Sequence, residues 1–192
     1  MDSNEERSLF LTRRIWTCDY ILDANCVNAR KADPDLNRLD QWYEDDVISL
    51  VMSEDSSTEA ATGSTARRRK AYQHIYMIPH PSTFEERERL QKIESIVFPG
   101  GARTPAELRD VRTIFTAGKY MHKLITNDGV SKTQPGGILG NAARLKTDAG
   151  VTVLRPREAV VEVRAAIQER DRLTREYCTM HHRPLPAWVG KD

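Results

Sequence analysis

The chain has 192 residues, enough for one α/β domain with its own core and rather short for two; its 30% charged and 39% hydrophobic residues fit a folded, soluble protein and exclude a disordered or membrane one. The formal net charge is +1, so no long-range field draws a polyanion to the whole molecule, and any affinity for nucleic acid has to come from local basic patches. No apolar run approaches the roughly 20 residues that span a bilayer. Met1 to Arg7 is acidic and polar where a signal peptide needs a basic region before an apolar one, so a cytoplasmic protein without membrane contact is expected. Three cysteines, Cys18, Cys26 and Cys178, are odd in number and widely spaced; they predict reduced thiols rather than a disulfide framework.

Trp16 to Leu22 is rich in aromatic and branched residues and stops at Asp23, the pattern of a buried strand that delivers a polar side chain at its C-terminal end. Asp33 to Tyr43 places Leu36, Leu39 and Tyr43 at helical spacing behind Pro34 and predicts the crossover helix of a βαβ unit. Val47 to Ser53 is a second buried strand, leading into a helix that carries Glu59. Ala60 to Ile78 is expected to be mostly helical, with His74 to Ile78 readable also as a short strand before Pro79 and Pro81. Thr83 to Val97 reads as a capped surface helix, and Thr104-Pro105-Ala106-Glu107 opens another that runs to about Tyr120. Lys123 to Thr126 is a short strand, Gly129 to Gly140 a glycine-rich loop with a helix entry near Gly137, Val151 to Leu154 a last strand and Pro156 to Leu173 a final amphipathic helix. Strands alternating with helices, without hairpin signals, imply a mainly parallel sheet covered on both faces. The expected organisation is an N-terminal tail over 1–14, one domain over 15–175 and a C-terminal tail over 176–192, the last either disordered or pinned by Trp188.

Open parallel sheets bind ligands outside the carboxyl ends of their strands, where the strand order reverses. Asp23 and Asp128 each follow a strand, Asp110 lies early in the helix that feeds the strand before Asp128, and Glu59 lies in the first turns of the helix after the second strand. All four are placed to meet at one rim. Such a cluster suits hard divalent cations, Mg²⁺ or Mn²⁺, which take carboxylate and water ligands and bind substrate phosphate oxygens. Taken singly, most carboxylates at such positions are helix caps or solvated turn residues.

In combination the sequence resembles the PIN-domain family of ribonucleases, which includes toxins of toxin–antitoxin pairs. Tyr20-Ile-Leu-Asp-Ala-Asn25 is similar to that family's opening strand; Ser53-Glu-Asp-Ser-Ser-Thr-Glu59 to its Ser ending strand two with a Glu six positions on; Arg109-Asp110 through Ile125-Thr126-Asn127-Asp128 to its helix-to-strand block. The resemblance covers roughly residues 16 to 170. It implies a Rossmann-like three-layer α/β/α sandwich with a five-stranded sheet, one or two Mg²⁺ or Mn²⁺ ions held by Asp23, Glu59, Asp110 and Asp128, and endonucleolytic cleavage of RNA. Asn25 would hydrogen-bond within the cluster and Thr126 would orient Asp128 or substrate. A homodimer and a protein partner such as an antitoxin are further implications of the family. The loop from Gly129 to Thr147 is longer and more glycine-rich than in compact members, and Glu54 and Asp55 are rivals to Glu59 for the second acidic position.

Arg67-Arg68-Arg69-Lys70 is the densest basic run and is able to track an RNA backbone beside Tyr72, or to be one solvated helix face; Lys132, Arg144 and Lys146 are further phosphate contacts to consider. Cys178, His181 and His182 lack a fourth ligand at zinc spacing, and Gly136-Gly137-Ile-Leu-Gly140 lacks the context of a phosphate-binding fingerprint. Two other functions remain open at this stage: a PIN-like module that binds RNA or protein without cutting it, and a phosphatase using Asp23, disfavoured by Asn25 standing where a second Asp is expected.

Overall fold

The computed structural model describes residues 11–27, 31–120, 122–129 and 136–192. Five strands, β1 (Asp19–Leu22), β2 (Ser49–Ser53), β3 (Tyr76–Met77), β4 (Lys123–Ile125) and β5 (Val153–Leu154), form one sheet in the order β3-β2-β1-β4-β5, with every neighbouring pair parallel. The eight α-helices among the described residues are α1 (Pro34–Glu44), α2 (Glu54–Ala61), α3 (Thr65–Ala71), α4 (Phe84–Val97), α5 (Pro105–Lys119), α6 (Gly137–Gly140), α7 (Ala142–Ala149) and α8 (Pro156–Met180). The result is a three-layer Rossmann-like sandwich. Its chain builds outward from β1 through β2 to β3, then returns to lay β4 on the other side of β1, so the strand order reverses between β1 and β4.

Alternation along the strands decides what each face buries. Tyr20, Leu22, Leu50, Met52 and Ile125 point to one side, where they meet Leu36, Leu39 and Trp42 of α1 and Ala159, Val160, Val163 and Ile167 of α8. Ile21, Val51, Leu124 and Val153 point to the other, against Ile93, Ile96 and Val97 of α4, Val111, Ile114 and Phe115 of α5 and Leu145 of α7. Each such Leu, Ile or Val contributes about 1.5–3 kcal/mol by leaving water, which is why strands of only two to five residues suffice. Helix starts follow the capping chemistry of the sequence: Asp33, Ser53, Ser64, Thr83 and Thr104 each accept a hydrogen bond from the first turn that follows, and Glu107 completes a capping box with Thr104.

Several boundaries differ from the sequence reading for identifiable reasons. The first strand starts at Asp19 because the chain turns just before it, Cys18 N donating to Ile15 O, and Trp16 lies 64% exposed with the Arg14 guanidinium 5.5 Å from its ring. Residues 60–78 are not one helix: Gly63 separates α2 from α3, and Tyr76–Met77 joins β2 as an edge strand. The helix entry expected near Gly137 is α6, and α7 then begins at Ala142 inside the stretch read as a loop to Thr147, whereas 130–135, including Lys132, lies outside the described residues. α8 continues to Met180 because its buried stripe runs on through Asp171, Thr174 and Cys178.

Polar residues in that stripe hide it from a hydrophobicity reading, and the C-terminal segment explains them. The Asp171 carboxylate accepts from Gly190 N and from the Arg170 guanidinium, Arg170 also bonds Asp192 and the Arg13 carbonyl, and its guanidinium lies 4.4 Å from the Trp188 ring. The last residues are thus pinned rather than loose. Cys178 is buried and free, as are Cys18 and Cys26, and His181 packs on Tyr177. Among the described residues no helix is long and apolar enough to cross a membrane.

Replacing Trp188 by Ala removes the cation–π cover of Arg170 and loosens the segment that satisfies Asp171, at an expected cost of about 1–2 kcal/mol. The check is the urea midpoint of the variant, which should fall with the m-value unchanged; an unmoved midpoint would show that the pinned segment contributes nothing.

Candidate active site

The four acids come from four separate places in the chain and reach one rim. Asp23 is the residue after β1, and Asp128 lies three residues beyond the end of β4, on either side of the point where the strand order reverses. α5 precedes β4 and runs back along the sheet, which leaves its first turns, and Asp110, at the carboxyl ends of the strands. α2 leaves the end of β2 and carries Glu59 on its second turn. They are near enough for charge to be felt: Glu59 and Asp128 raise Asp23, and Asp23, Asp128 and Glu59 raise Asp110.

Asp23 is buried, 8% exposed, and accepts three short hydrogen bonds: Ala24 N at 2.6 Å on Oδ1, Asn25 Nδ2 at 2.7 Å and the Thr126 hydroxyl at 2.6 Å, both on Oδ2. Burial nevertheless outweighs these donors and, with the neighbouring carboxylates, pushes its pKa up to about 6. Asn25 and Thr126 tie the two strand ends together, since Asn25 also donates to Thr126 Oγ1 at 3.1 Å and accepts from Asn127 N at 3.1 Å. Thr126 Oγ1 in turn accepts from Asp128 N at 3.0 Å, so one hydroxyl serves both acids.

Asp128 is held from the opposite side by α6. Its Oδ2 accepts from Ile138 N at 2.9 Å and its carbonyl from Leu139 N at 2.9 Å. The approach depends on glycine: Gly137 has φ +62°, and a Cβ there would stand 2.8 Å from the Asp128 carbonyl oxygen and 3.1 Å from Oδ1. The Gly136-Gly137 pair is therefore a clamp on the fourth acid.

Asp110 is pushed further, to about 7, first by burial and then by Asp23, Asp128 and Glu59, with Arg109 pulling the other way. Arg109 Nε stands 3.4 Å from Glu59 Oε2. The rivals of Glu59 are placed elsewhere: Asp55 forms a two-pronged pair with Arg112 of α5, at 2.9 and 2.7 Å, and Glu54 is exposed. The helix register thus turns Glu59, rather than its neighbours, toward Asp23 and Asp110.

Sequence reasoning missed a buried triangle of hydroxyls beneath these acids. Ser53, Ser56 and Thr113 lie 2.9–3.0 Å apart and join the end of β2 and the start of α2 to α5. The Ser53-to-Ser56 half is legible as an N-cap; Thr113, three residues after Asp110, gives no signal without the fold.

The basic residues are scattered in their uses. Arg68 donates to the Ala61 carbonyl and Lys70 pairs with Asp40 at 3.0 Å, so these two hold α3 in place. Arg69 is exposed, as are Arg144 and Lys146 on α7. Arg67 alone of the run reaches back toward the acids, its Nη2 donating to the Ala24 carbonyl at 2.6 Å.

As donors the four carboxylates fit a hard divalent cation, since all are oxygen ligands and their mutual repulsion is the charge such an ion would offset. In position they stand within electrostatic reach rather than in a ligating cage: among the described residues no three His, Cys, Asp or Glu side chains are grouped closely enough to hold an ion as they stand. Coordination by them would require side-chain rotation, with Glu59 leaving Arg109. Compared with known proteins, the sequence matches no family model and no curated protein.

The raised pKa values have a sign that is open to test. Unfolded, Asp110 ionises near its ordinary 3.8; folded, it does so near 7, so between these values the folded state holds the extra proton. The stability this confers is complete below about pH 4 and is lost as the pH rises through 7. Asp110→Asn, which removes the charge and keeps the shape, should therefore be more stable than the parent by roughly 2 kcal/mol at about pH 8, the two converging near pH 4. Urea titrations across this range decide it; parallel curves would show that neither burial nor the neighbouring acids raise the Asp110 carboxyl.

Proposed function

We propose that the chain is a metal-dependent endoribonuclease of the PIN-like kind, hydrolysing RNA phosphodiester bonds at the rim formed by Asp23, Glu59, Asp110 and Asp128. The observation that carries this reading is the convergence of four carboxylates from four separate elements on the reversal point of a parallel sheet, where burial first and the neighbouring acids second raise Asp23 and Asp110 above the ordinary carboxylate range. Carboxylates raised by burial together with specific charged neighbours are candidates for functional sites.

Asp23, Glu59, Asp110 and Asp128 would hold Mg²⁺ or Mn²⁺, whose chemistry at such a site would be activation of water near neutral pH and offset of charge on the leaving oxygen. The chain's own residues prepare for that. Thr126 and Asn25 fix the orientation of Asp23, the Ile138 amide fixes Asp128, and the Ser53–Ser56–Thr113 triangle sets α2 against α5 and hence Glu59 against Asp110. Burial and the neighbouring carboxylates raise Asp110 to about 7, and a cation held there would favour its ionised form.

One observation favours a second reading, a PIN-like module that binds RNA or a protein without cutting: Glu59 is paired with Arg109 at 3.4 Å.

Incubation of the purified protein with single-stranded RNA and Mg²⁺ or Mn²⁺ should give cleavage that falls at least about a hundredfold in Asp23→Asn and Asp110→Asn. Mn²⁺ should raise the melting temperature of the parent at about pH 7 and have a smaller effect on Asp110→Asn. Cleavage undiminished in both variants would remove the carboxylates from the chemistry. RNA binding with neither cleavage nor a response to Mn²⁺ would favour the silent module.

A further inference from the structure

We propose that Arg67 binds an RNA phosphate beside the carboxylate rim, and that Gly63 is the residue that lets it do so. The inference rests on the ribonuclease reading and assigns to that site the cation that positions its substrate.

Three observations carry it. The Arg67 guanidinium is anchored: Nη2 donates to the Ala24 carbonyl at 2.6 Å, one residue beyond Asp23, whose own carboxylate takes the Ala24 amide. A charge-assisted bond of that length fixes the head group at the end of a long side chain. Next, the anchor consumes only one of the five N–H bonds of the fork. Among the described residues no side chain or carbonyl takes the others, and Arg67 is partly exposed. Finally, its path is built. The side chain runs over Gly63, in the turn between α2 and α3, so closely that a Cβ on Gly63 would stand 2.9 Å from the Arg67 Cδ.

The other members of the run make the contrast. Arg68 is turned to the end of α2 and Lys70 to Asp40 of α1, so each completes the packing of α3 and faces away from the acids. A guanidinium fixed to the carbonyl of the residue after Asp23 suits a polyanionic substrate. The carboxylates repel a phosphodiester until cations are bound, and a fixed fork with free donors gives one phosphate a defined seat at the edge of that field. No base is read by such a contact, so the expected effect is on affinity for any single-stranded RNA and not on sequence preference.

The test uses the full chain, an oligouridylate and Ca²⁺ in place of Mg²⁺, with binding followed by fluorescence anisotropy over a series of salt concentrations. Arg67→Ala should weaken binding about tenfold and reduce the slope of log affinity against log salt by about one. Gly63→Ala, which keeps the guanidinium but displaces it, should weaken binding in the same direction. Arg67→Lys should recover the salt slope but only part of the affinity, since a single ammonium cannot hold the Ala24 carbonyl and a phosphate in one fork geometry. Arg172→Ala, which removes an equal charge from an exposed helix position paired with Glu169 and Glu176, should change neither quantity. A lower melting temperature in Arg67→Ala with RNA affinity and salt slope equal to the parent would make Arg67 a structural staple and overturn this inference alone. A parent protein that binds no RNA would overturn the inference together with the ribonuclease reading.

Discussion

The Thr126 hydroxyl donates to Asp23 at 2.6 Å and accepts from the Asp128 amide at 3.0 Å, across the seam where β1 and β4 pair. That single oxygen links the Asp23 carboxylate to the backbone amide of Asp128 at the place where the sheet reverses direction. Its geometry follows from register: Leu22 lies opposite Ile125, so the residues just beyond each strand, Asp23 and Thr126, face each other as a consequence of pairing. If the register slipped by one, Thr126 would point to the other face and the seam would hold an unsupported buried acid.

The rest of the molecule can be understood as what holds that seam under load. The two hydrophobic layers keep the strand ends rigid from both faces. The α6 clamp draws Asp128 toward amide donors, and the hydroxyl triangle holds Glu59 and Asp110 in a common frame. Against this stand the burial of Asp23 and Asp110 and their repulsion by the neighbouring acids. The fold therefore stabilises a charge arrangement that is unfavourable in itself, and it does so with backbone amides, hydroxyls and one amide side chain rather than with opposite charges. Arg109 is the exception, and its contact with Glu59 is long.

Much of the architecture was legible in the sequence because its signals are local and redundant. Apolar runs ending in a polar residue marked β1 and β2, caps marked α4 and α5, and the alternation of types dictated a parallel sheet. Errors arose where a three-dimensional partner overrides the local signal. α8 outruns its hydrophobic pattern since Asp171 and Thr174 are buried by contacts with a segment distant in sequence or by their own helix backbone. β3 is too short to show a period, and it exists because β2 offers it an edge. At the site, the positions of Asp23 and Asp128 follow from strand ends, whereas choosing Glu59 over Asp55 needed the observation that Arg112 takes Asp55. The basic run was opaque for the same reason: four adjacent cations look alike in sequence, and only the packing of α3 shows that they go to different places.

The Ser53–Ser56–Thr113 triangle has a mechanical meaning. Pulling α2 away from α5 would break the two bonds that cross between them, Ser53–Thr113 and Ser56–Thr113, and leave the buried Thr113 hydroxyl without either serine, at about 1–3 kcal/mol. The two helices are consequently stiff with respect to each other, and Glu59 and Asp110 travel as one piece. Asp23 and Asp128 form a second piece, coupled through Thr126 and Asn25. The rim is thus a two-jawed object whose width is governed by one degree of freedom, the spacing between the helix pair and the strand pair, so a force applied to either helix reaches both of its acids together.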